Sequence, residues 1–353
     1  MKRRNPRRVQ AIVGLLMLPI SLIPFALYFH NTAEGKLLWT RATLRYFPPH
    51  LPEVRVAATS PNGGFQPYRD AVATLVYHGI GTTTDAEGQF SLSISRFAEQ
   101  LATLRAAGAH FVTAREVAIW RQRGQAPPTN AVLITFDDGR AEAMMLADPL
   151  LRAAHAKATM FVIADAVENP GIYYATGEDL ERYGRSGRWD LQSHTANLHD
   201  TQDTAIGPLP LLTSLAPRES LAQYRRRVIA DLDRADAFIR SVTGQRPVAF
   251  AYPFGAYGGD RTNHVRIRAT LRSIIGARYT IAFHQDDQDT IPLVRCSDSP
   301  LELRRLDVEP WSGPELLRRI GVMQRHTWPE PVCPVAPPTP SPSGSAPRTE
   351  VHQ

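Results

Sequence analysis

The chain has 353 residues, of which 43% are hydrophobic and 21% are charged, so it is long enough for one large α/β domain or two small ones. Its formal net charge of +6 comes mostly from arginine, and no basic cluster is interleaved with stacking aromatic side chains, which argues against a nucleic-acid-binding protein. The two cysteines, Cys296 and Cys333, either pair in an oxidising environment or remain separate thiols.

The amino-terminal residues have the pattern of a membrane anchor. Residues 1–10 carry five Lys or Arg residues, and residues 11–29 are about 19 uncharged residues, near the length that a helix needs to cross a bilayer. The basic residues predict a cytoplasmic tip at 1–10, a single transmembrane helix at 11–29 and an extracytoplasmic remainder. A cleaved signal peptide, which would release a secreted protein, is the alternative. The sequence carries no prediction of oligomeric state.

The remaining chain divides into three parts by composition. Residues 30–69 are rich in Pro, Gly and polar residues and predict a linker, residues 70–326 predict a globular domain, and the Pro-rich residues 327–353 predict a disordered tail. Within the domain, strand patterns alternate with helix patterns, which predicts an α/β fold with a parallel sheet. The predicted strands cover 73–77, 110–112, 131–135, 158–163, 189–193, 248–252, 279–283 and 291–295, and the predicted helices cover 97–108, 114–120, 141–154, 173–188, 220–242, 262–275 and 314–323.

The strand at 131–135 ends in two adjacent carboxylates and a glycine. It is apolar on both faces, as in a parallel strand covered on both sides. Neighbouring side chains of an extended chain point in opposite directions, so one of Asp137 and Asp138 can hold a cation while the other handles a proton. Gly139 lets the backbone turn away. The alternative is a simple Asp-Asp-Gly turn that caps the next helix.

Two histidines follow the strand at 189–193. His194 and His199 are five residues apart, which on a helix would put them on nearly opposite faces, so a shared ion requires a strand end and an irregular loop. One carboxylate and two neutral imidazoles suit Zn²⁺, with Co²⁺ or Ni²⁺ as alternatives, and leave positions open for water and substrate. Two solvated loop histidines are the other interpretation.

Four motifs together resemble a known enzyme family. TFDDG (135–139), ATMFV (158–162), QSHTANLH (192–199) and FAYPFGAY (250–257) are similar, in order and spacing, to those of the polysaccharide deacetylase or NodB-homology family of carbohydrate esterases. The resemblance covers residues 70–325, and the histidine spacing is similar to that of the poly-N-acetylglucosamine deacetylase branch. It implies a distorted, incomplete (β/α) barrel with its site at the carboxyl ends of the strands. It also implies metal-dependent removal of N-acetyl groups from an extracytoplasmic glycan.

The resemblance implies a role for each motif residue. Asp138, His194 and His199 would bind the metal, Asp137 would be the general base, and the backbone N–H of Phe254 would bind the tetrahedral oxyanion. Pro253 and Tyr257 of the same motif, together with His78 after the first strand, would line the substrate pocket. A structural role for His78 is the alternative.

Two departures from the family pattern stand out. Ala251 occupies the position at which most relatives have an arginine that orients the base, and the late Leu-x-His segment that supplies a general acid is not evident. His284 is the histidine in that region, so it is the candidate acid, with a surface histidine as the alternative. These departures leave open a glycan-binding relative with little or no catalysis, or a hydrolase of another amide.

Three further residues have two interpretations each. Asp190 orients a metal ligand or is a solvated carboxylate at a strand edge. Trp189 and Tyr252, like Phe254 and Tyr257, form sugar-stacking walls or belong to the core.

Overall fold

The computed structural model describes residues 39, 42–43, 65–81, 90–124, 126–168, 173–259, 261–286 and 291–327. The strands are β1 (Ala71–Tyr77), β2 (Gly79–Gly81), β3 (Ser91–Ser93), β4 (His110–Val112), β5 (Ala131–Phe136), β6 (Ala158–Val162), β7 (Trp189–Ser193), β8 (Thr201–Thr204), β9 (Gly207–Pro210), β10 (Ala249–Ala251), β11 (Ile281–Asp286), β12 (Val294–Arg295) and β13 (Leu303–Asp307). The helices are α1 (Ile94–Ala106), α2 (Ala114–Arg123), α3 (Ala141–Ala153), α4 (Ala164–Glu168), α5 (Gly177–Gly184), α6 (Leu221–Thr243), α7 (Ile267–Gly276) and α8 (Gly313–Thr327).

Several predictions fall outside these ranges. The predicted tip at 1–10, anchor at 11–29, most of the linker and the tail beyond residue 327 are not among the described residues. Within the part of the chain that is described, no helix has both the length and the apolar character needed to cross a bilayer. Cys296 is partly buried and is not a free thiol, but Cys333 is outside the described ranges, so their pairing stays a prediction.

Seven strands form a closed parallel barrel. Their order around the ring is β1, β13, β11, β10, β7, β6 and β5, and β5 pairs back to β1. That closing pair is in register from Val72↔Ala131 to Tyr77↔Phe136. The barrel has seven strands, fewer than the eight of a complete (β/α) barrel, as the term incomplete implies. Its ring is nevertheless closed. β4 extends the sheet beside β5, β12 lies antiparallel to β1, and β2–β3 and β8–β9 form two small separate sheets.

The alternation of side chains along each strand separates two apolar regions. Leu133, Phe161 and Phe283 fill the barrel interior. Neighbouring strand residues such as Ile134 and Met160 point outward, where helices cover them. Phe65 and Tyr68 are also buried, and the Tyr68 hydroxyl donates to the carbonyl of Ala131 at 2.7 Å, so the core includes residues that the sequence assigned to the linker.

Most predicted elements are present, with some differences at their ends. The capping box of Thr113 and Glu116 begins α2 as predicted. α7 begins at Ile267 instead of 262, because the Thr262 hydroxyl and the His264 ring hydrogen-bond to loop backbone and satisfy groups that a longer helix would need. The predicted helix at 173–188 is the shorter α5, and the predicted strand at 291–295 is only β12. β13 and the β8–β9 hairpin were not predicted.

Candidate active site

The carboxyl ends of the barrel strands bring the motif residues together. On β5, Leu133 points into the barrel interior, and the alternation places Asp137 on the same side at the mouth, where it is 1% exposed. Asp138 follows with a φ of 76° and Gly139 with a φ of 82°, both in the left-handed region. Such backbone is strained for an aspartate, and strain of this kind concentrates at functional sites.

Three side chains form a candidate metal centre. Asp138, His194 and His199 each offer one ligand atom, and these atoms lie within 4.8 Å of one another. The Oδ1 atom of Asp138 is 3.8 Å from Nε2 of His194 and 3.5 Å from Nε2 of His199. Ligand atoms around a tetrahedral ion with bonds near 2.0–2.1 Å lie about 3.3 Å apart, so the two distances from Asp138 need only a small contraction. Two imidazoles and a carboxylate also match the ligand types of a zinc-like ion.

The protein fixes the tautomer of one imidazole. Nδ1 of His194 is 2.8 Å from the carbonyl oxygen of Ala251, so it carries the proton and donates it there, and Nε2 faces the candidate metal centre with its lone pair. Burial lowers the pKa of His194 to about 4, although the neighbouring carboxylate of Asp137 opposes this shift. His194 is therefore neutral at physiological pH, as a metal ligand must be.

A carboxylate from α6 holds the loop between the two histidines. Asp231 accepts hydrogen bonds from the backbone N–H of Ala196 at 2.9 Å and of Asn197 at 2.7 Å. Thr195 in this loop has a φ of 74°, so a strained turn is stabilised by two hydrogen bonds to a buried side chain. Burial raises the pKa of Asp231, while these two amides oppose the rise.

Arg305 on β13 binds the candidate base directly. Its two terminal nitrogens are each 2.7 Å from a different oxygen of Asp137, and Nη1 also donates to the Thr135 hydroxyl at 3.0 Å. Burial alone would raise the pKa of Asp137, but Arg305 and His194 outweigh it and hold that pKa well below its usual range. Most relatives have an arginine at the position of Ala251 to orient the base. Here Arg305, from another strand, contacts the candidate base instead.

His78 lies at the barrel mouth beside these groups. Val72 of β1 packs in the barrel interior, and the alternation puts His78 on the same side. Nε2 of His78 is 3.3 Å from the side-chain amide nitrogen of Gln285. The charge of His78 lowers the pKa of Asp137. It also opposes the rise in the pKa of Asp307 that burial causes. One oxygen of Asp307 is buried with no hydrogen-bond partner in the described part of the chain.

The role of the candidate acid His284 stays a prediction. It is buried on β11 between Phe283, which points into the barrel, and Gln285, which reaches His78. The alternation therefore turns His284 to the outer face, where its ring packs on Tyr257 with centroids 4.7 Å apart. Among the described residues, Nε2 of His194 lies 3.9 Å from an oxygen of Asp137, and His78 is a second histidine whose charge acts on that carboxylate.

The 253–257 segment borders the metal centre on one side. Phe254 has a φ of 57° and is 50% exposed, and its ring lies 4.7 Å from that of His199. Pro253 is buried within the same turn, and Tyr257 is partly buried against His284. Of the three, Phe254 presents the largest open surface next to the metal centre.

The remaining predicted residues have structural roles. Trp189 packs on Phe136 and donates to Asp148 at 3.0 Å, and the Tyr252 hydroxyl donates to the carbonyl of Leu301 at 3.0 Å, so both belong to the core and neither is a sugar-stacking wall. Asp190 accepts hydrogen bonds from the backbone N–H of Arg115 and the side chain of Gln192. It is neither a partner of the metal ligands nor a solvated carboxylate.

Sequence reasoning missed Arg305 and Asp307. Both lie on β13, whose sequence Leu-Arg-Arg-Leu-Asp has charged residues at positions that a buried strand normally fills with apolar ones. The signal available in the sequence was a pair of charged residues, Arg305 and Asp307, at alternate positions of a short strand.

Comparison with known proteins shows which family this chain is similar to. The family model described as polysaccharide deacetylase matches residues 124–271. A poly-beta-1,6-N-acetyl-D-glucosamine N-deacetylase of Escherichia coli K12 is 26% identical over 236 residues, which is 61% of this chain and 34% of that protein. The enzyme of the same name from Staphylococcus aureus N315 is 22% identical over 227 residues, which is 64% of this chain and 73% of that protein. The chain thus spans about a third of the length of the E. coli relative.

Solved structures show the same fold. IcaB from Ammonifex degensii is 26% identical with a TM-score of 0.57, over 72% of this chain and 97% of that one. A de-N-acetylase from Aggregatibacter actinomycetemcomitans is 20% identical with a TM-score of 0.59, over 70% of this chain and 100% of that one. The family resemblance drawn from the four motifs is confirmed.

Proposed function

We propose that this chain, which carries a polysaccharide deacetylase domain, is a metal-dependent hydrolase. It removes N-acetyl groups from a glycan that contains N-acetylglucosamine. The observation that carries this proposal is the convergence of Asp138, His194 and His199 within 4.8 Å beside a separate carboxylate, Asp137. Binding of a glycan alone requires no such pair of a metal centre and a base.

Each residue has a defined task in amide hydrolysis. A divalent cation held by Asp138, His194 and His199, with Zn²⁺ the best match to the ligands and Co²⁺ or Ni²⁺ as alternatives, would polarise the acetamide carbonyl and acidify a water molecule. Asp137 accepts the proton of the attacking water. Arg305 keeps this carboxylate ionised and fixes the direction of its oxygens. The backbone N–H of Phe254 donates to the oxyanion that forms.

His78 donates a proton to the leaving nitrogen. Its place at the barrel mouth, where its charge acts on Asp137 and Asp307, supports this role, because an acid must reach the reacting centre. Water adds to the acetamide carbon, the carbon–nitrogen bond breaks, and acetate and a free amine leave. His284 has no part in this scheme.

The substrate proposal rests on the relatives. The matched proteins of E. coli and S. aureus are named for poly-beta-1,6-N-acetyl-D-glucosamine, so we assign a polymer of N-acetylglucosamine to this chain. A degenerate glycan-binding relative is less well supported, because Arg305 and His78 occupy the two roles that the sequence left vacant. We also propose that residues 11–29 anchor the protein in a membrane with the domain outside, which the basic residues at 1–10 support.

Acetate release tests the proposed function. The full-length protein, treated with a chelator and reloaded with Zn²⁺ or Co²⁺, is assayed on N-acetylglucosamine oligomers, beside Asp137→Asn, His194→Ala and the control Glu178→Gln on the exposed start of α5. We expect metal-dependent release by the wild type and the control, and its loss in the other two variants. A wild type that binds one metal ion and releases no acetate from any oligomer would overturn deacetylation and favour glycan binding or another amide substrate.

A further inference from the structure

Large apolar side chains are exposed on both sides of the barrel mouth. The described residues include five such side chains, and two of them contact the active-site histidines. Phe254, 50% exposed, packs on His199, and Phe90, 51% exposed, lies edge-on to His78 with ring centroids 5.2 Å apart. Exposed aromatic rings beside a polar cleft are typical of surfaces that a ligand covers.

The surface on the His78 side continues through an arginine to two tyrosines. Nη1 of Arg140 donates to the carbonyl oxygen of Phe90 at 3.3 Å, and its guanidinium carbon lies 4.7 Å from the ring centre of Tyr173. The rings of Tyr173 and Tyr174 meet edge to face with centroids 5.0 Å apart. Both tyrosines are partly exposed. We call Phe90, Tyr173 and Tyr174 the aromatic rim.

The backbone holds the aromatic rim next to the metal centre. The N–H of Ala141 donates to the carbonyl of Tyr173 at 3.0 Å, and the N–H of Ala175 donates to the carbonyl of Gly139 at 2.9 Å. The tyrosines therefore run alongside the turn that immediately follows Asp138. Arg140, which contacts both Phe90 and Tyr173, also forms an ion pair with Glu142 at 2.7 Å.

We propose that the aromatic rim binds the sugar unit next to the one that is deacetylated. This inference rests on the proposed function, because it assumes that a glycan chain crosses the mouth. A pyranose ring with equatorial substituents has an apolar face of axial C–H groups that packs on an aromatic ring, and its hydroxyls find partners in the tyrosine O–H groups. A chain that extends from the metal centre over the turn at 139–141 meets the rim at its next sugar.

The test compares affinities for short and long substrates. In the inactive Asp137→Asn background, Kd is measured for N-acetylglucosamine monomer and pentamer in the full-length protein, with Tyr173→Ala and Phe90→Ala added singly. We expect each substitution to weaken pentamer binding about three- to tenfold and monomer binding less, because a single sugar at the metal centre does not reach the rim. Tyr173→Phe keeps the ring and should retain most of the affinity. Ile206→Ala removes an exposed apolar side chain elsewhere and is the matched control.

The outcomes separate this inference from the proposed function. If the active enzyme releases acetate but both alanine variants bind pentamer as tightly as their background does, the aromatic rim is not a sugar site. Equal losses for monomer and pentamer would also contradict it, since they indicate a general disturbance of the mouth. If the wild type releases no acetate from any oligomer, the proposed function fails, and the pentamer affinities alone still decide whether the rim binds sugar.

Discussion

Both oxygens of Asp137 lie 2.7 Å from Arg305, although the two residues are on strands that β1 separates in the barrel. Arg305 is fully buried and its guanidinium also packs over the ring of Phe161. A buried carboxylate with a bidentate arginine is fixed in direction and ionised at all physiological pH values. This pair determines which way the candidate base points.

The first prediction concerns the loss of this arginine. Arg305→Met leaves Asp137 buried without its partner, so we expect kcat/KM to fall by about 10²-fold or more and the free energy of unfolding to fall by about 3–5 kcal/mol. The pKa of Asp137 rises when the opposite charge is removed, so the acid limb of the pH–rate profile should move to higher pH. Steady-state kinetics and urea unfolding measure these effects. Arg304→Lys, on the exposed side of β13, is the control.

The same relationship predicts a rescue. The double variant Ala251→Arg/Arg305→Ala places an arginine where most of the family has it and vacates the space that Arg305 fills. Because Ala251 lies in the barrel interior, we expect this variant to recover part of the activity lost in Arg305→Ala alone. A double variant no more active than the single one, while folded by circular dichroism, would contradict an interchangeable orienting role.

The second prediction distinguishes the two candidate acids. We expect His78→Ala to lower kcat on N-acetylglucosamine oligomers by about 10²-fold or more, because the leaving nitrogen loses its proton donor, while bound metal measured by elemental analysis stays at the wild-type level. His284→Ala should change kcat by less than about threefold, since this ring packs on Tyr257 outside the mouth. A larger loss in His284→Ala than in His78→Ala would restore the expectation drawn from the sequence.

The third prediction concerns the support of the histidine loop. Asp231→Ala removes the acceptor of the Ala196 and Asn197 N–H groups, so the loop between the two ligands loses its fixed shape. We expect the affinity for Zn²⁺ to fall about 10- to 100-fold, as measured by competition with a chromogenic chelator. Asp233→Ala removes an exposed carboxylate from the same helix and serves as the control. Unchanged zinc affinity in Asp231→Ala would show that the loop holds its shape without this contact.

The fourth prediction follows from the pKa of His194 in the metal-free protein. Burial lowers this pKa to about 4 from the usual 6.5 of a histidine. Between these values the unfolded state binds a proton that the folded state does not, so the free energy of unfolding should rise with pH from about 4 to 6.5, by ~3 kcal/mol in total. Urea unfolding at several pH values measures this slope. His194→Gln should lose most of it, and a variant with the wild-type slope would contradict the assignment.

Elements with local signals could be predicted from the amino-acid sequence. β5 reads as a doubly buried strand because its apolar residues occupy both faces, and Asp137 and Asp138 must follow where such a strand emerges. The capping box at Thr113 and the short motif around His194 and His199 are likewise contained within a few residues. Such patterns predicted a parallel α/β fold with one carboxylate and two histidines at the carboxyl ends of its strands, and the family resemblance implied the barrel and the metal-binding roles.

The distant side chains that complete the site become apparent only in the folded structure. Arg305 lies 168 positions from Asp137 in the chain, and no local pattern indicates that a buried arginine will face that carboxylate. The choice between His78 and His284 depended on the face of the strand that each occupies once the barrel closes. A one-residue difference in register reverses that face, and the closure of the ring fixes it. The pairing of strands therefore selected the partner of the base and the candidate acid, which residue identity alone left open.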